Sequence, residues 1–159
     1  LMAAGEAHGL TLVGMRAMDS LRIEKSYRMW GLDLTREYSA WEAGLDRFVS
    51  LDKGAFTGRE ALVEQRRAGV PQRFVTLEVD ADDADPLGNE PLWQGERMVG
   101  RATSGAYGHT LEKSLALAYL EAAAAEPTTA LEIEILGARR PATIIPDSPH
   151  DPNNYRPRA

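Results

Sequence analysis

Cysteine is missing from all 159 residues. Its absence excludes a disulfide, a thiolate nucleophile and a Cys-ligated zinc site, a usage that suits a cytosolic protein. Histidine is scarce: His8, His109 and His150 lie far apart in no metal-ligand spacing, so no metal site is expected. There is no surplus of positive charge either. At a formal net charge of −6, the chain lacks the Lys/Arg excess that draws proteins to nucleic acid or anionic membranes, and neither is expected as a partner. No run approaches the roughly 20 apolar residues that span a bilayer, and LMAAGEAHG has no basic segment ahead of an apolar one. It does not read as a signal peptide. Neither G-x-G-x-x-G nor G-x-x-x-x-G-K-[ST] occurs, so no nucleotide cradle is expected.

What is present reads as a soluble globular chain, 43% apolar and 26% charged. It begins on Leu1 inside a helical pattern with no capping residue before it, the texture of a fragment of a longer polypeptide. Residues 1–8 read as the last turns of a helix stopped by Gly9, and LTLVG as an extended connection. A short helix is expected to begin around Asp19 and Ser20. Residues 31–56 lack periodicity apart from a strand-like piece at Asp46 to Leu51, and ordered loops of that length commonly line a site. Thr57 is placed to cap a helix through GREALVEQRRAG, ended by Gly69 before Pro71.

After Pro71 the pattern alternates. In RFVTLEVD, the face bearing Arg73, Val75, Leu77 and Val79 is the better core candidate. DADDADPLGNE lacks the calcium-loop register and reads as a solvated turn. PLW, RMVGRATSGAYG, SLALAYL, ALEIEILG and PATIIP add strands divided by turn signals, the pattern of a small antiparallel barrel or sandwich. Ser104 with His109 lacks a nucleophile elbow and an orienting acid, so Gly105 and Gly108 are expected to permit a sharp strand bend instead. The tail SPHDPNNYRPRA is expected to run extended along the surface.

The densest mixture of charge and aromaticity is Asp19 to Gly31, DSLRIEKSYRMWG. Arg22, Glu24, Tyr27 and Trp30 form the candidate ligand-binding set, because flat rings beside fixed hydrogen-bonding groups suit a planar heteroaromatic ligand. Another arrangement stays open, and composition alone favours it: Arg22 and Glu24 paired with neighbours, Tyr27 and Trp30 packed in a core. No catalytic group is assigned.

Taken in order, LRIEKSYRMWGLDL, WEAGLDRFVSLDKGAFTGREAL, DPLGNEPLW, VGRATSGAYGH, SLALAYL and PATIIPD resemble the C-terminal part of the glycine-cleavage aminomethyltransferase superfamily. The dimethylglycine and sarcosine dehydrogenase branch is the nearest in pattern. The resemblance implies an α+β, mostly β fold: a six-stranded antiparallel barrel over residues 72–146 preceded by a helical and loop remnant of a folate-binding domain. Residues 1–30 would end that domain, 31–71 connect it, and 147–159 form the tail. It also implies tetrahydrofolate as cofactor of the full-length protein, FAD in an upstream domain of the dehydrogenase branch, and that upstream domain as partner. The family's catalytic aspartate and its Tyr-x-Gly-Glu motif precede the segment matching Leu1, so Asp19 does not take that role. Tyr27 matches a position near the folate side in relatives, while Arg22 and Glu24 match the motif that braces it. Met18 in R-A-M-D replaces the arginine of the simple transferases' G-A-R-D, which weakens transfer of that arginine's contact. A non-catalytic interaction barrel and a stand-alone transferase fragment are the alternatives. A tRNA-modifying or sulfonium-demethylating relative fits the motifs less well.

Overall fold

The computed structural model describes residues 1–158. Six strands, β1 (Gln72–Val79), β2 (Pro91–Gln94), β3 (Arg97–Gly108), β4 (Lys113–Glu121), β5 (Leu131–Ile135) and β6 (Ala138–Ile145), close into an antiparallel barrel in the order β1-β4-β3-β2-β5-β6. The mostly β fold with its six-stranded barrel is therefore as expected. Closure leaves no edge strand among the described residues, because β6 returns to β1 through Thr76↔Ile145 to Val79↔Ala142.

The interior is filled by Val75, Leu77 and Val79 of β1, Ala116, Ala118 and Leu120 of β4, and Leu92, Val99, Ile133 and Ile135 from the other strands. A barrel this narrow needs small side chains at some inward positions, and the two alanines of SLALAYL supply them. The outward set of the same strands is also buried. Phe74, Leu115, Leu117 and Tyr119 pack with Ile23 and Ala43 in a second core on the outside of the barrel. That double burial explains why SLALAYL is almost continuously apolar, and why the Phe74 face of β1 is no solvent face.

The chain before Gln72 covers this outer surface. Helices α1 (Met2–Glu6) and α2 (Met15–Ile23) come first. α2 begins at Met15, four residues ahead of Asp19 and directly after the extended Gly14, with no side-chain cap, so the cap signal at Asp19 and Ser20 misplaced its start. Asp46–Phe48 is a 3-10 turn and not the expected strand. The long loop is held by side chains: Ser39 and Glu42 bond reciprocally as a capping box, Trp41 Nε1 donates to Leu62 O at 2.8 Å, and Phe74 N donates to Glu42 O at 2.8 Å. α3 (Arg59–Ala68) starts at Gly58, whose φ of 87° is left-handed, and not from a Thr57 cap. Gly69 ends it as expected.

Gly105 and Gly108 lie within the continuous strand β3 and admit close neighbours, since a Cβ at Gly105 would lie 2.4 Å from Pro86 O and one at Gly108 2.9 Å from Glu24 Cγ. One further expectation is corrected. The tail is not extended. It turns at Asp151, ends in a 3-10 turn at Arg156–Arg158, and folds back on the Lys25 region.

Candidate functional site

The charged and aromatic stretch begins inside α2 and leaves it through a Schellman ending. Tyr27 N donates to Arg22 O at 2.9 Å and Ser26 N to Ile23 O at 2.9 Å, the two bonds of that motif. The left-handed position between them falls on Ser26, with φ 50°. A side chain there costs on the order of 1 kcal/mol relative to glycine, and the serine hydroxyl compensates with partners of its own. Ser148 N donates to Ser26 Oγ at 2.8 Å, and the Ser26 and Thr76 hydroxyls are 2.8 Å apart. Ser26 is buried, and the next residue, Tyr27, is thrown outward with 52% of its surface exposed.

The four candidate residues separate into two pairs. Arg22 and Glu24 are inside. Arg22 donates to Asp19 Oδ1 (3.1 Å), Asp33 Oδ2 (3.1 Å), Ser104 Oγ (3.3 Å) and Tyr27 O (3.3 Å). Glu24 Oε1 accepts Thr110 N at 2.6 Å and Leu111 N at 3.1 Å, so it caps the turn after β3. Tyr27 and Trp30 are outside, Trp30 at 73% exposure. The arrangement favoured by composition therefore holds for the two charges and fails for the two rings. Tyr27 lines an open groove of about 400 Å³ together with Met18 and Leu21 of α2 and His150 and Arg156 of the tail. Trp30 is not part of that groove.

Beneath this surface lies a residue the sequence did not single out. Asp33 is wholly buried. Its Oδ2 accepts Arg22 Nη1 and Met29 N (2.8 Å), its Oδ1 accepts the Ser104 hydroxyl (2.7 Å) and the Thr103 hydroxyl, and its carbonyl accepts Tyr119 Oη at 2.9 Å. Adjacent strand residues normally face opposite ways, yet Thr103 and Ser104 reach one carboxylate. A β-bulge makes this possible: Ala102 pairs with Ala118 and Ser104 with Leu117, leaving Thr103 as the extra residue. Ser104 is thus a brace, not a nucleophile. Removing one member of so buried a charged pair typically costs about 3–5 kcal/mol.

The rest of the stretch is tied to the tail. Lys25 Nζ donates to His150 O (3.1 Å) and Asp151 O (2.6 Å), and Arg28 pairs with Asp147 at 2.9 Å while its guanidinium lies 4.2 Å from the Phe74 ring centre. Desolvation pushes the Asp151 carboxyl up, but the N–H groups of Tyr155 and Arg156 and the nearby Lys25 charge outweigh it and hold the group below its ordinary value. Among the described residues no group of three or more His, Asp or Glu could hold a metal, and no helix is long and apolar enough to cross a membrane.

Comparison with known proteins places this architecture. The glycine cleavage T-protein C-terminal barrel domain matches residues 72–151, and the GCVT N-terminal domain matches residues 1–53. The chain belongs to the glycine cleavage T-protein family. Among its relatives, the mitochondrial dimethylglycine dehydrogenase of Rattus norvegicus is 41% identical over 146 residues, covering 91% of this chain and 17% of that protein. The mitochondrial sarcosine dehydrogenase of Mus musculus is 36% identical over 164 residues, covering 98% of this chain and 18% of that protein. The crystal structure of the glycine cleavage system aminomethyltransferase T from Bartonella henselae superposes with a TM-score of 0.80 at 25% identity, over 87% of this chain and 39% of that one. The chain thus spans under a fifth of the dehydrogenases it matches. Its barrel strands and Schellman loop fall inside the two matched domains, and the junction between those domains is where Arg22, Asp33 and Ser104 meet.

Proposed function

We propose that this chain forms one wall of a tetrahydrofolate site in an aminomethyltransferase-type protein, within an enzyme like the dimethylglycine and sarcosine dehydrogenases that passes a one-carbon unit to folate. The observation that carries the reading is the placement of Tyr27: a half-exposed ring on a rigid Schellman turn, flanked by the apolar Met18 and Leu21. Such a surface fits the flat ring of a pterin, which stacks on an aromatic face at modest entropic cost because the turn is already ordered. The identity to proteins named for dimethylglycine and sarcosine oxidation supports the choice of branch.

The bound folate would supply the acceptor nitrogen for the one-carbon unit. Tyr27 would stack on the ligand and shield one side from water, and Arg22 and Glu24 would hold the turn beneath it without touching the ligand. Trp30, outside the groove, is removed from that list in this reading. FAD would belong to an upstream domain, since this chain carries no phosphate-cradling loop. The chain performs no covalent step in this account.

Replacing Tyr27 by Ala in the full-length protein should raise the Kd for tetrahydrofolate about tenfold, the effect of losing roughly 1.4 kcal/mol of ring contact. An unchanged Kd, measured by calorimetry or fluorescence quenching, would take Tyr27 out of the site. A second reading makes the chain a docking barrel alone. It is favoured by the complete engagement of Arg22 and Glu24 within the chain, and an unaltered Kd would support it.

A further inference from the structure

Arg22 holds both peptide groups that flank the Tyr27 Cα. Its carbonyl accepts Tyr27 N at 2.9 Å, and its guanidinium donates to Tyr27 O at 3.3 Å. The first bond comes with the helix ending. The second depends on where the guanidinium is held, and that position is set by Asp19 Oδ1 within the helix and, from outside it, by Asp33 Oδ2 and by the hydroxyl of Ser104 on the barrel. Ser104 in turn donates to Asp33 Oδ1 at 2.7 Å, so Arg22, Ser104 and Asp33 form a closed triangle. Tyr27 O, Asp33 Oδ2 and Ser104 Oγ converge on one guanidinium nitrogen, Nη1, sharing its two N–H groups, and that convergence fixes where the guanidinium sits.

We propose that Asp33 is a positioning residue for the ligand-facing ring of Tyr27, acting through Arg22 on the Tyr27 carbonyl and keyed to the barrel by the hydroxyl of Ser104, next to the bulge in β3. The inference rests on the tetrahydrofolate reading for its ligand, but not for its geometry. Asp33 itself is buried and reaches no ligand. Its contribution is to make Tyr27 a preformed surface, so that the ring is not ordered at the expense of binding. The barrel then serves the ligand site as well as its own core, because the hydroxyl that completes the triangle sits on a barrel strand.

The test is a double-mutant cycle in the full-length protein, read as tetrahydrofolate affinity and, without ligand, as amide exchange at Tyr27. Asp33→Asn should raise the Kd about fivefold in the natural background and less than about twofold in the Tyr27→Ala background, because there is no ring left to position. Exchange at the Tyr27 amide should quicken about tenfold while that at Leu117 in β4 stays unchanged. Ser104→Ala, a gentler change, should move both readouts in the same direction by about twofold and decides the matter if Asp33→Asn does not fold. An equal loss of affinity in both backgrounds, or unchanged Tyr27 exchange in a folded variant, would overturn the proposal. If the natural protein fails to bind tetrahydrofolate, the ligand reading falls, and the exchange measurement still decides the positioning.

Discussion

Burial pushes the Tyr119 phenol well above its ordinary value of 10.0, with the neighbouring Tyr38, Asp33 and Glu42 adding to the rise against the opposing charge of Arg28. The ring is stacked 3.7 Å from that of Tyr38, and its hydroxyl donates to Asp33 O. Above pH 10.0 the unfolded chain loses this proton while the folded chain keeps it, so the unfolded state binds fewer protons and stability falls as pH rises. Chemical denaturation from pH 9 to 11.5 should show a loss approaching about 1.4 kcal/mol per pH unit from this group. Tyr119→Phe should flatten that increment while lowering stability at pH 8 through the lost bond to Asp33. A slope identical in both proteins would show that Tyr119 ionises freely. Neither Tyr119 nor Asp33 stood out in the sequence. SLALAYL and GLDL show no local pattern for them, because the partners of Asp33 at Thr103, Ser104 and Tyr119 are at least 70 residues away. Arg22 and Glu24 were legible as a motif, but only the bonds they make show that they brace rather than bind.

At the scale of elements, the end of β3 packs directly on the loop that follows α2. A Cβ added at Gly108 would meet Glu24 Cγ, Glu24 Oε1 and Leu115 Cδ1 at 2.9, 3.0 and 3.0 Å. Overpacking of this kind costs about 1–3 kcal/mol. Gly108→Ala should therefore lower the denaturation midpoint and expose the Thr110 and Leu111 amides, which now donate to Glu24, to faster hydrogen exchange. Full protection at those amides would mean that Glu24 can shift without breaking its cap. The barrel strands were readable because alternation and turn residues mark them locally, and SLALAYL departs from alternation for the same reason it is buried on both faces. The start of α2 was not readable, since Gly14 caps it without a side-chain bond while Asp19 and Ser20 lie within the helix. The bulge at Thr103 was equally hidden. Nothing in RATSGAYG distinguishes one extra residue from regular pairing, because the bulge is defined by the register with β4.

For the whole molecule, the barrel and the segment before it form one body with two cores, one inside the strands and one between the strands and Ile23, Ala43 and Tyr38. The apolar side chains of Leu12, Val13, Met15, Met18 and Leu21 remain exposed, Met18 and Leu21 on the α2 side that lines a groove with Tyr27. In our reading that side faces the remainder of the folate-binding domain, so a complete pocket needs both that domain and the Tyr27 wall. Apolar contact on one side only is too small an enclosure for a drug-sized ligand, whose sites bury most of its surface. Titration calorimetry of tetrahydrofolate into the full-length protein and into residues 1–159 alone, with folding of the latter checked by circular dichroism, tests this most directly. The account predicts saturable heat with the full-length protein and none with the folded fragment at the same concentrations. Absence of binding by the full-length protein, or equally tight binding by the fragment, would contradict it.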